Sequence, residues 1–319
     1  MAADKRNVLI AGVTSSIGRQ LALHLYNDKR VGVVFGAAQE ERPYYFRDLD
    51  PERFVYKQLN ILKKRELRNL FLSRRFKTSR INTVIHLAFN NRPIRGEDIH
   101  ALNVLGTKAL IEQCLKTKGI NKFIFKSSDV VYKLRPHNPI LLDENADLNF
   151  DTGADQWIKD RVDADMICRS YMDDKRINIV VLRVSNIIGR NISGQLNSYF
   201  DSKLVFKTLG FNPMINLIHM KDVIQSLRLA IFKAKVRGIF NIGGNDTAPI
   251  TTFAELNGSS CVSMPAPLLG PINRLQRTLG MTDYYYSVDA DRMKYSCLLD
   301  TAKARKVLGF NPTGRVEFS

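Results

Sequence analysis

The chain has 319 residues, 45% of them hydrophobic, which is enough to bury a large core in one domain or in a domain with a lobe. Lys and Arg number 48 against 31 Asp and Glu, and the net charge of +17 favours contact with phosphates or anionic surfaces, although a generally basic cytosolic protein has the same balance. No segment reaches the roughly 18 apolar residues of a membrane span, and no apolar stretch follows the charged start of the chain, which predicts a soluble, cytoplasmic protein.

Short apolar runs alternate with helical stretches along much of the chain. The sequence predicts strands at Val8–Ala11, Val31–Phe35, Phe54–Tyr56, Thr83–Ala88, Lys122–Phe125, Ile177–Arg183 and Gly238–Asn241, and a first helix at Ile17–Tyr26. Strands and helices in this alternation indicate an α/β fold with a parallel sheet and helices on both faces. Clusters of proline and glycine at 210–213 and 258–271 predict irregular sequence that builds a lobe.

A basic stretch at Lys63–Arg80 stands out from this pattern. Leu67, Leu70 and Phe71 recur in it at helical spacing, which predicts an amphipathic helix with a cationic outer face. Such a face suits an anionic membrane surface or a partner, but a solvated helix that packs its apolar side on the sheet explains the pattern better. Nucleic-acid binding is disfavoured because no aromatic residues alternate with the cations.

A glycine-containing turn, Gly12-Val-Thr-Ser-Ser-Ile-Gly18, joins the first predicted strand to the first predicted helix. Backbone amides at such a helix N-terminus approach a pyrophosphate, so the position of the turn predicts a dinucleotide site. The residues of the turn predicted to contact the dinucleotide are Gly12, Thr14, Ser15, Ser16, Ile17 and Gly18. Ser15 replaces the middle glycine of the motif and places a Cβ near the phosphates.

The acidic residue that normally accepts hydrogen bonds from the adenosine ribose is missing at its expected place. That place is Gly36, at the end of the second predicted strand. Glu40, Glu41 and Arg42 follow in the next loop. A carboxylate there suits the ribose hydroxyls, and the arginine suits a 2′-phosphate, so the sequence leaves the choice between NAD and NADP open.

Ordered motifs from the glycine turn to the C-terminal region carry a resemblance to a known family. They are Ala11–Gly18, Val84–Ala88, Asn103–Thr107, Lys122–Ser128 with Val131 and Tyr132, Leu182–Gly189, Leu217–Val223, Phe240–Gly244 and Asp300–Phe310. In this order they resemble the extended short-chain dehydrogenase/reductases, the NAD-dependent epimerase/dehydratase group, and in particular its UDP-glucose 4-epimerase-like members. The resemblance implies bound NAD or NADP and a homodimer.

The same resemblance implies a division of the chain. It predicts a doubly wound, Rossmann-type dinucleotide-binding domain over residues 1–186, to which residues 216–245 return. A smaller, interleaved C-terminal substrate lobe is predicted from residues 187–215 and 246–319. Ligand is expected at the carboxyl ends of the strands, between the glycine turn, Ser128 and the lobe.

Individual residues take roles from the resemblance. Further positions that match the cofactor site are Asn60, Leu87, Ala88, Asn103 and Lys159. Ser128 matches the catalytic Ser/Thr, and Lys159 matches the lysine of a Tyr-x-x-x-Lys pair, with Asp163 as the acidic residue four positions on. Asp155 stands in place of the tyrosine. A carboxylate beside a lysine is ionised, so it accepts hydrogen bonds and does not donate a proton.

Two functional hypotheses remain open. In the first, the protein is an NAD(P)-dependent epimerase, dehydratase or reductase, acts on a nucleotide-sugar or a hydrophobic carbonyl or hydroxyl substrate, and uses another proton donor such as water or Tyr132. In the second, it is a non-catalytic relative with a degenerate active site that binds a nucleotide or a partner as a sensor or scaffold. No cation directly precedes the Ile218-His-x-x-Asp222 motif to bind a substrate pyrophosphate, which leaves Arg190 and Arg292 as candidates.

Other kinds of site are not indicated. The four cysteines form no Cys-x-x-Cys pair, which predicts a reducing compartment and no metal site. His86 and His219 fall in a strand motif and a helix-start motif, where we expect structural roles.

Overall fold

A parallel seven-stranded sheet forms the centre of the protein in the computed structural model, which describes residues 5–90, 97–189 and 192–318. The strands of the protein are β1 (Arg6–Ala11), β2 (Val31–Ala38), β3 (Phe54–Gln58), β4 (Thr83–His86), β5 (Lys122–Ser128), β6 (Asn178–Val184), β7 (Asn186–Ile188), β8 (Leu204–Thr208), β9 (Met214–His219), β10 (Gly238–Ile242), β11 (Asp246–Pro249) and β12 (Ser260–Met264). The central sheet has the order β3-β2-β1-β4-β5-β6-β10, and each neighbouring pair is parallel. The seven strands predicted from the sequence are confirmed, with small differences at their ends.

Helices cover both faces of this sheet. They are α1 (Ser16–Tyr26), α2 (Lys64–Leu72), α3 (Arg74–Thr78), α4 (Glu97–His100), α5 (Gly106–Leu115), α6 (Gln156–Ser170), α7 (Gln195–Phe200), α8 (Met220–Phe232), α9 (Ile250–Leu256) and α10 (Ala266–Thr278). On one face α1 and α8 bury Leu21 and Leu227, and on the other α5 and α6 bury Leu110 and Cys168. The fold is therefore the predicted doubly wound, Rossmann-type α/β fold.

Strand β1 shows why the central strands read as continuous apolar runs. Val8 and Ile10 pack into the core beneath α1 and α8, while Leu9 and Ala11 pack into the core beneath α2 and α5. Helices on both faces bury every position of such a strand. Burial of a Val, Leu or Ile side chain stabilises the fold by about 1.5–3 kcal/mol. The sheet thereby becomes a rigid base for the loops at its carboxyl edge.

The C-terminal part of the chain builds two further small sheets. Strand β9 pairs with β7 and β11, and β8 pairs with β12. Helix α10 follows β12 closely, so the prediction of irregular structure at 258–271 is wrong. Pro267 falls in the first turn of α10, where no intrahelical N–H is needed, and the helix continues past Pro271. The predicted domain boundaries stay a prediction. Within residues 216–245, which are predicted to return to the dinucleotide-binding domain, α8 and β10 pack in or on the central sheet, whereas β9 belongs to one of the small sheets.

The basic stretch at Lys63–Arg80 forms two helices where the sequence predicts one. Ser73, between α2 and α3, has an extended backbone, and its Oγ accepts a hydrogen bond from Phe76 N at 3.3 Å. Leu67, Leu70 and Phe71 are buried against the sheet, as the packing interpretation requires. In the part of the chain that the structure describes, no helix has the length and apolar character to cross a bilayer.

Candidate active site

The glycine turn is built around two positions that admit no side chain. Gly12 has φ +85°, and a Cβ on it would lie 2.5 Å from Ala88 N. A Cβ on Gly18 would lie 2.3 Å from Gly12 O. Both distances are far below van der Waals contact, so Gly12 permits the close approach of the turn to the loop after β4, and Gly18 permits the close packing of α1 on the turn.

Ser15, which replaces the middle glycine, is accommodated by the turn. Its backbone is extended (φ −61°, ψ 155°), a conformation open to any residue. Its Oγ donates to Gly12 O at 2.8 Å and accepts from Gly18 N at 3.1 Å, so it caps α1. The hydroxyl is thus bound to the turn itself.

Most of the predicted dinucleotide residues line one cavity of 430 Å³, which we call the dinucleotide cavity. Its lining includes Gly12, Thr14, Ser15, Ser16, Leu87, Ala88, Phe89, Asn90, Leu102 and Ser193. Asn103 is buried behind it: its side chain accepts from Asn90 N at 2.8 Å and donates to Asn90 O at 3.2 Å. Asn103 therefore fixes the loop that forms one wall of the cavity.

The prediction that Asn60 contacts the cofactor is not supported by its position. Leu59 and Ile61 line the dinucleotide cavity, but Asn60 does not. Its Oδ1 accepts a hydrogen bond from Leu62 N at 2.9 Å, so the side chain stabilises the turn after β3.

Glu40 supplies a carboxylate to the dinucleotide cavity where Gly36 does not. Its Oε2 accepts from Thr14 Oγ1 at 2.8 Å, and Tyr56 donates to its main-chain oxygen. Gly36 cannot carry a side chain, because a Cβ there would lie 2.9 Å from a methyl of Val13. Arg42 does not line the cavity and donates to Phe46 O.

A second cavity of 110 Å³, the reaction cavity, shares Ser193 with the first. Its lining includes Ile17, Lys126, Ser128, Trp157, Arg161, Ser185, Asn186, Tyr284, Asp289 and Arg292. Ser128 ends β5, where its Oγ donates to Asp129 Oδ1 at 3.1 Å and accepts from Val130 N at 3.3 Å. Of the three predicted catalytic residues, the structure places only Ser128 on this cavity.

Asp155 and Lys159 line neither the dinucleotide cavity nor the reaction cavity. Asp155 is the N-cap of α6 and accepts from Trp157 N at 2.9 Å. Lys159 Nζ donates to Thr152 O at 2.8 Å, and Asp163, one turn on, is exposed. The sequence assigned Asp155 and Lys159 to the catalytic site with Ser128, and the structure places this row of α6 outside both cavities.

Trp157, Arg161 and Asp165 form the row of α6 that faces the sheet. Successive helical residues are about 100° apart, so a shift of two residues turns a row by about 200°, to the opposite side. Arg161 Cζ lies 3.7 Å from the centroid of the Trp157 ring, and Arg161 Nη1 donates to Trp157 O at 2.6 Å. Asp165 is fully buried and accepts two hydrogen bonds from Arg183, at 2.7 and 3.0 Å. This buried pair holds α6 in its register.

Lys126 brings an ammonium group to the reaction cavity. It lies two residues before Ser128 on β5, so both side chains leave the same face of the strand. Burial, and then the neighbouring positive charge of Arg161, lower the pKa of Lys126 to about 8, while Asp129 acts in the opposite direction. Lys126 Nζ forms no hydrogen bond or salt bridge with the described residues.

Arg292, a candidate for a substrate pyrophosphate, is held by two carboxylates. Its Nη1 donates to Asp129 Oδ2 at 2.9 Å and its Nε donates to Asp289 Oδ2 at 2.8 Å. Asn186 Nδ2 also donates to Asp129 Oδ2, at 3.0 Å. The charge of Arg292 is thus neutralised within the protein. Arg190, the other candidate, lies outside the described residues.

Tyr132 and His86 are structural residues. Tyr132 is buried, donates to Asn241 Oδ1 at 2.6 Å and accepts from Arg183 Nη1 at 3.0 Å. Burial raises the pKa of Tyr132 to about 12, and it lines neither cavity, so its role as an alternative proton donor is corrected. His86 Nε2 pairs with Thr107 Oγ1 at 2.8 Å, and burial lowers its pKa to about 3, which keeps the ring neutral.

Comparison with protein families decides the classification of this chain. The model of the NAD dependent epimerase/dehydratase family matches residues 8–243, well over half of the chain. The chain belongs to this family. An uncharacterized protein of Mycobacterium tuberculosis (strain ATCC 25618 / H37Rv) is 25% identical over 256 residues, which are 77% of this chain and 66% of that protein. The present chain therefore spans just under two thirds of the length of that mycobacterial relative.

Solved structures of the family share the fold. UDP-glucuronic acid 4-epimerase from Bacillus cereus, in complex with UDP-glucuronic acid and NAD, has a TM-score of 0.70 at 19% identity and is aligned over 97% of this chain and 95% of its own. UDP-glucose 4-epimerase from Thermotoga maritima has a TM-score of 0.73 at 17% identity and is aligned over 97% and 94%. At this identity the likeness establishes the fold.

The roles of three site residues were not predicted from the sequence: Trp157, Arg161 and Lys126. The signal for the first two was present: Trp157, Arg161 and Asp165 repeat the spacing of Asp155, Lys159 and Asp163 and carry an aromatic residue in first place. Lys126 lies inside the motif Lys122–Ser128, but no role follows from the motif for it, and only the fold places it on the cavity with Ser128.

Proposed function

We propose that the protein binds NAD across the two cavities and acts as an epimerase, dehydratase or reductase on a nucleotide-sugar or related carbonyl or hydroxyl substrate. The observation that carries this proposal is the adjacency of the two cavities, which share the lining residue Ser193, with the glycine turn on one and Ser128 on the other. A dinucleotide has two chemically distinct ends, and this arrangement offers each of them a place. The similar Bacillus cereus epimerase holds NAD together with a nucleotide-sugar.

The residues of the dinucleotide cavity fit NAD. Gly12 and Gly18 allow the backbone to approach a pyrophosphate at the N-terminus of α1. Glu40 offers a carboxylate to ribose hydroxyls and would repel a 2′-phosphate. Arg42, which would favour NADP, is turned to the main chain of the next loop. We therefore propose NAD and not NADP as the cofactor, to which the substrate gives up a hydride or from which it receives one.

Catalysis in this protein departs from the family pattern. Trp157 and Arg161 have the i, i+4 spacing of a Tyr-x-x-x-Lys pair and lie on the wall of the reaction cavity with Ser128. An indole N–H donates a hydrogen bond but does not release its proton near neutral pH. Arg161 supplies a fixed positive charge where a lysine is expected.

The same tryptophan supports a second candidate, a family member that binds a nucleotide without turnover and acts as a sensor or scaffold. On α6, where the family carries the tyrosine of its Tyr-x-x-x-Lys pair, Trp157 offers the reaction cavity an indole N–H and no hydroxyl. Homodimer formation, a cytoplasmic location and contact of the Lys63–Arg80 stretch with an anionic membrane remain predictions.

Fluorescence of Trp157 tests the proposal, because it is the single tryptophan of the chain and lies on the reaction cavity. NADH absorbs indole emission, so bound NADH is expected to quench Trp157. NADPH is expected to bind at least about tenfold more weakly than NADH, a difference of about 1.4 kcal/mol or more in binding free energy. The W157F variant, followed by calorimetry, serves as the matched control: it should lose the fluorescence signal and keep the heat of binding.

The outcomes separate the two candidates. Absence of both quenching and binding heat at millimolar NADH would contradict the cofactor proposal. NADH binding combined with formation of reduced or epimerised product from UDP-glucose or UDP-glucuronic acid supports an enzyme. NADH binding without turnover of these and related nucleotide-sugars supports the non-catalytic candidate.

A further inference from the structure

We propose that Lys126 exchanges a proton with the substrate in the reaction cavity, in place of the tyrosine used elsewhere in the family. This inference rests on the proposed function, because the proton moves together with a hydride that a nicotinamide dinucleotide accepts or donates. It assigns a reaction step to a residue for which the sequence predicted no role.

The geometry of β5 brings Lys126 to the reacting atoms. Lys126 and Ser128 are two residues apart on the strand and line the same cavity. Ser127, between them, points to the opposite side, where its Oγ donates to Asp165 Oδ2 at 2.7 Å. A substrate oxygen that hydrogen-bonds to Ser128 is therefore within reach of the Lys126 ammonium group.

The other titratable groups in or near the site are less suited to this role. Burial raises the pKa of Tyr284 well above its usual value, so it does not accept the alcohol proton, and Asp289 is paired with Arg292. Asp155 and Lys159 are bonded outside the cavity, and Tyr132 is bonded in the core. Trp157 is a donor only, and a guanidinium such as Arg161 stays protonated around neutral pH even where burial lowers its pKa.

The charges that face Lys126 tune its amine. Arg161 on α6 repels the ammonium form, and Asp129, in the turn after β5, attracts it. On the far wall, Arg292 forms salt bridges with both Asp129 and Asp289, which offsets part of the attraction of Asp129 for the ammonium. Burial and Arg161 together lower the pKa of Lys126 to about 8, so both protonation states are accessible near neutral pH.

The proposed step balances in both directions. In oxidation of an alcohol, the O–H proton passes to the neutral Lys126 Nζ, the C–H hydride passes to the dinucleotide and a C=O bond forms. In reduction, the hydride adds to the carbonyl carbon and the Lys126 ammonium returns a proton to the oxygen. Ser128 hydrogen-bonds the same oxygen when its O–H turns from Asp129 Oδ1 to the substrate. The neutral amine predominates above about pH 8 and the ammonium below it, so oxidation gains from rising pH and reduction from falling pH.

Competitive labelling of the whole protein tests the proposal without a known substrate. Trace acetic anhydride is reacted at several pH values with and without saturating NAD, and the acetylation of each lysine is read by mass spectrometry. We expect the reactivity of Lys126 to rise with a midpoint of about 8 and to fall several-fold when NAD is bound. Exposed Lys108 on α5 is the internal control and should not respond to NAD.

Three outcomes decide between the proposals. A midpoint near that of a free lysine, or the absence of protection although Trp157 fluorescence shows that NADH binds, would overturn the role of Lys126 and leave the proposed function intact. The absence of any NADH binding would overturn both. A midpoint of about 8 with protection by NAD supports the role.

Variants add a chemical readout. With a nucleotide-sugar that reduces bound NAD, K126M and K126R should both lower the rate about 100-fold or more, the scale of general acid–base catalysis. K108M should leave it unchanged. K126R keeps the charge but cannot exchange a proton at neutral pH, so a K126R enzyme with near wild-type rate and pH profile would refute the proposal. Thermal unfolding of K126R confirms that the variant is folded.

Discussion

Trp157 and Arg161 owe their place in the site to the buried pair of Asp165 and Arg183. The carboxylate and the guanidinium are both fully buried and share two hydrogen bonds, so neither can leave the core without leaving a charge unpaired. Asp165 lies one turn beyond Arg161 and two beyond Trp157, so anchoring Asp165 turns these residues toward Ser128. The row with Lys159 then faces outward.

At the residue scale, the two rows of α6 predict opposite outcomes for NADH binding. Under the proposed function, Arg161 hydrogen-bonds the cofactor from the place where the family has a lysine. We therefore expect R161M to weaken NADH binding about tenfold or more, since a hydrogen bond to a charged group contributes about 1.5–3 kcal/mol. K159M should change the affinity less than twofold, because Lys159 Nζ binds Thr152 O outside the cavities. Titration by Trp157 fluorescence measures both, with R161K as the conservative control. A larger loss of NADH affinity in K159M than in R161M would favour Asp155 and Lys159, the row of α6 proposed from the sequence, as the one that contacts the cofactor.

At the element scale, Lys122 connects the central sheet to the end of α8. It is fully buried at the start of β5, and its Nζ donates to the main-chain oxygens of Ala230, at 2.7 Å, and of Lys233. Carbonyl groups at a helix C-terminus have no intrahelical partner, so a buried end needs donors from elsewhere. The ammonium meets this need, although burial lowers its pKa to about 8.

We expect K122M to lower the free energy of unfolding by about 2–4 kcal/mol, because buried carbonyls at the end of α8 lose their donor. The methionine keeps the apolar stem, so the loss reports on the hydrogen bonds. Urea unfolding monitored by circular dichroism measures the change. K118M, which removes an exposed lysine before the same strand, is the matched control and should stay within about 0.5 kcal/mol of wild type. Equal stability of K122M and K118M would contradict the capping role.

How far the sequence predicts such elements depends on where their determinants lie. The central strands were predictable because burial on both faces leaves an apolar run that can be read locally. The register of α6 was not, because Asp155-x-x-x-Lys159 and Trp157-x-x-x-Arg161 have equal spacing and the choice depends on Arg183, a distant residue. The break between α2 and α3 had a local signal, because Ser73 caps α3 through its Oγ. The continuation of α10 past Pro271 had none.

At the scale of the whole molecule, the Asp129–Arg292 pair joins the central sheet to the C-terminal segment. Asp129 directly follows β5 and Ser128, while Arg292 comes from a turn near the end of the chain. Both side chains are buried, and Arg292 also binds Asp289. The reaction cavity lies between these two parts. The pair therefore forms the far wall of the cavity and also stabilises the folded protein.

This arrangement predicts an order among variants. R292M should lower the free energy of unfolding by about 3–5 kcal/mol, because it leaves the carboxylates of Asp129 and Asp289 without their cation. D129N should lower the free energy of unfolding less, because Arg292 retains its salt bridge with Asp289 and the amide oxygen of the new asparagine still accepts a hydrogen bond. The double variant D129N/R292M should be more stable than the sum of the two losses predicts, since it removes one of the stranded charges. Urea unfolding of the four proteins measures the cycle; additive losses, or a smaller loss in R292M than in D129N, would show that the pair does not join the two parts of the molecule.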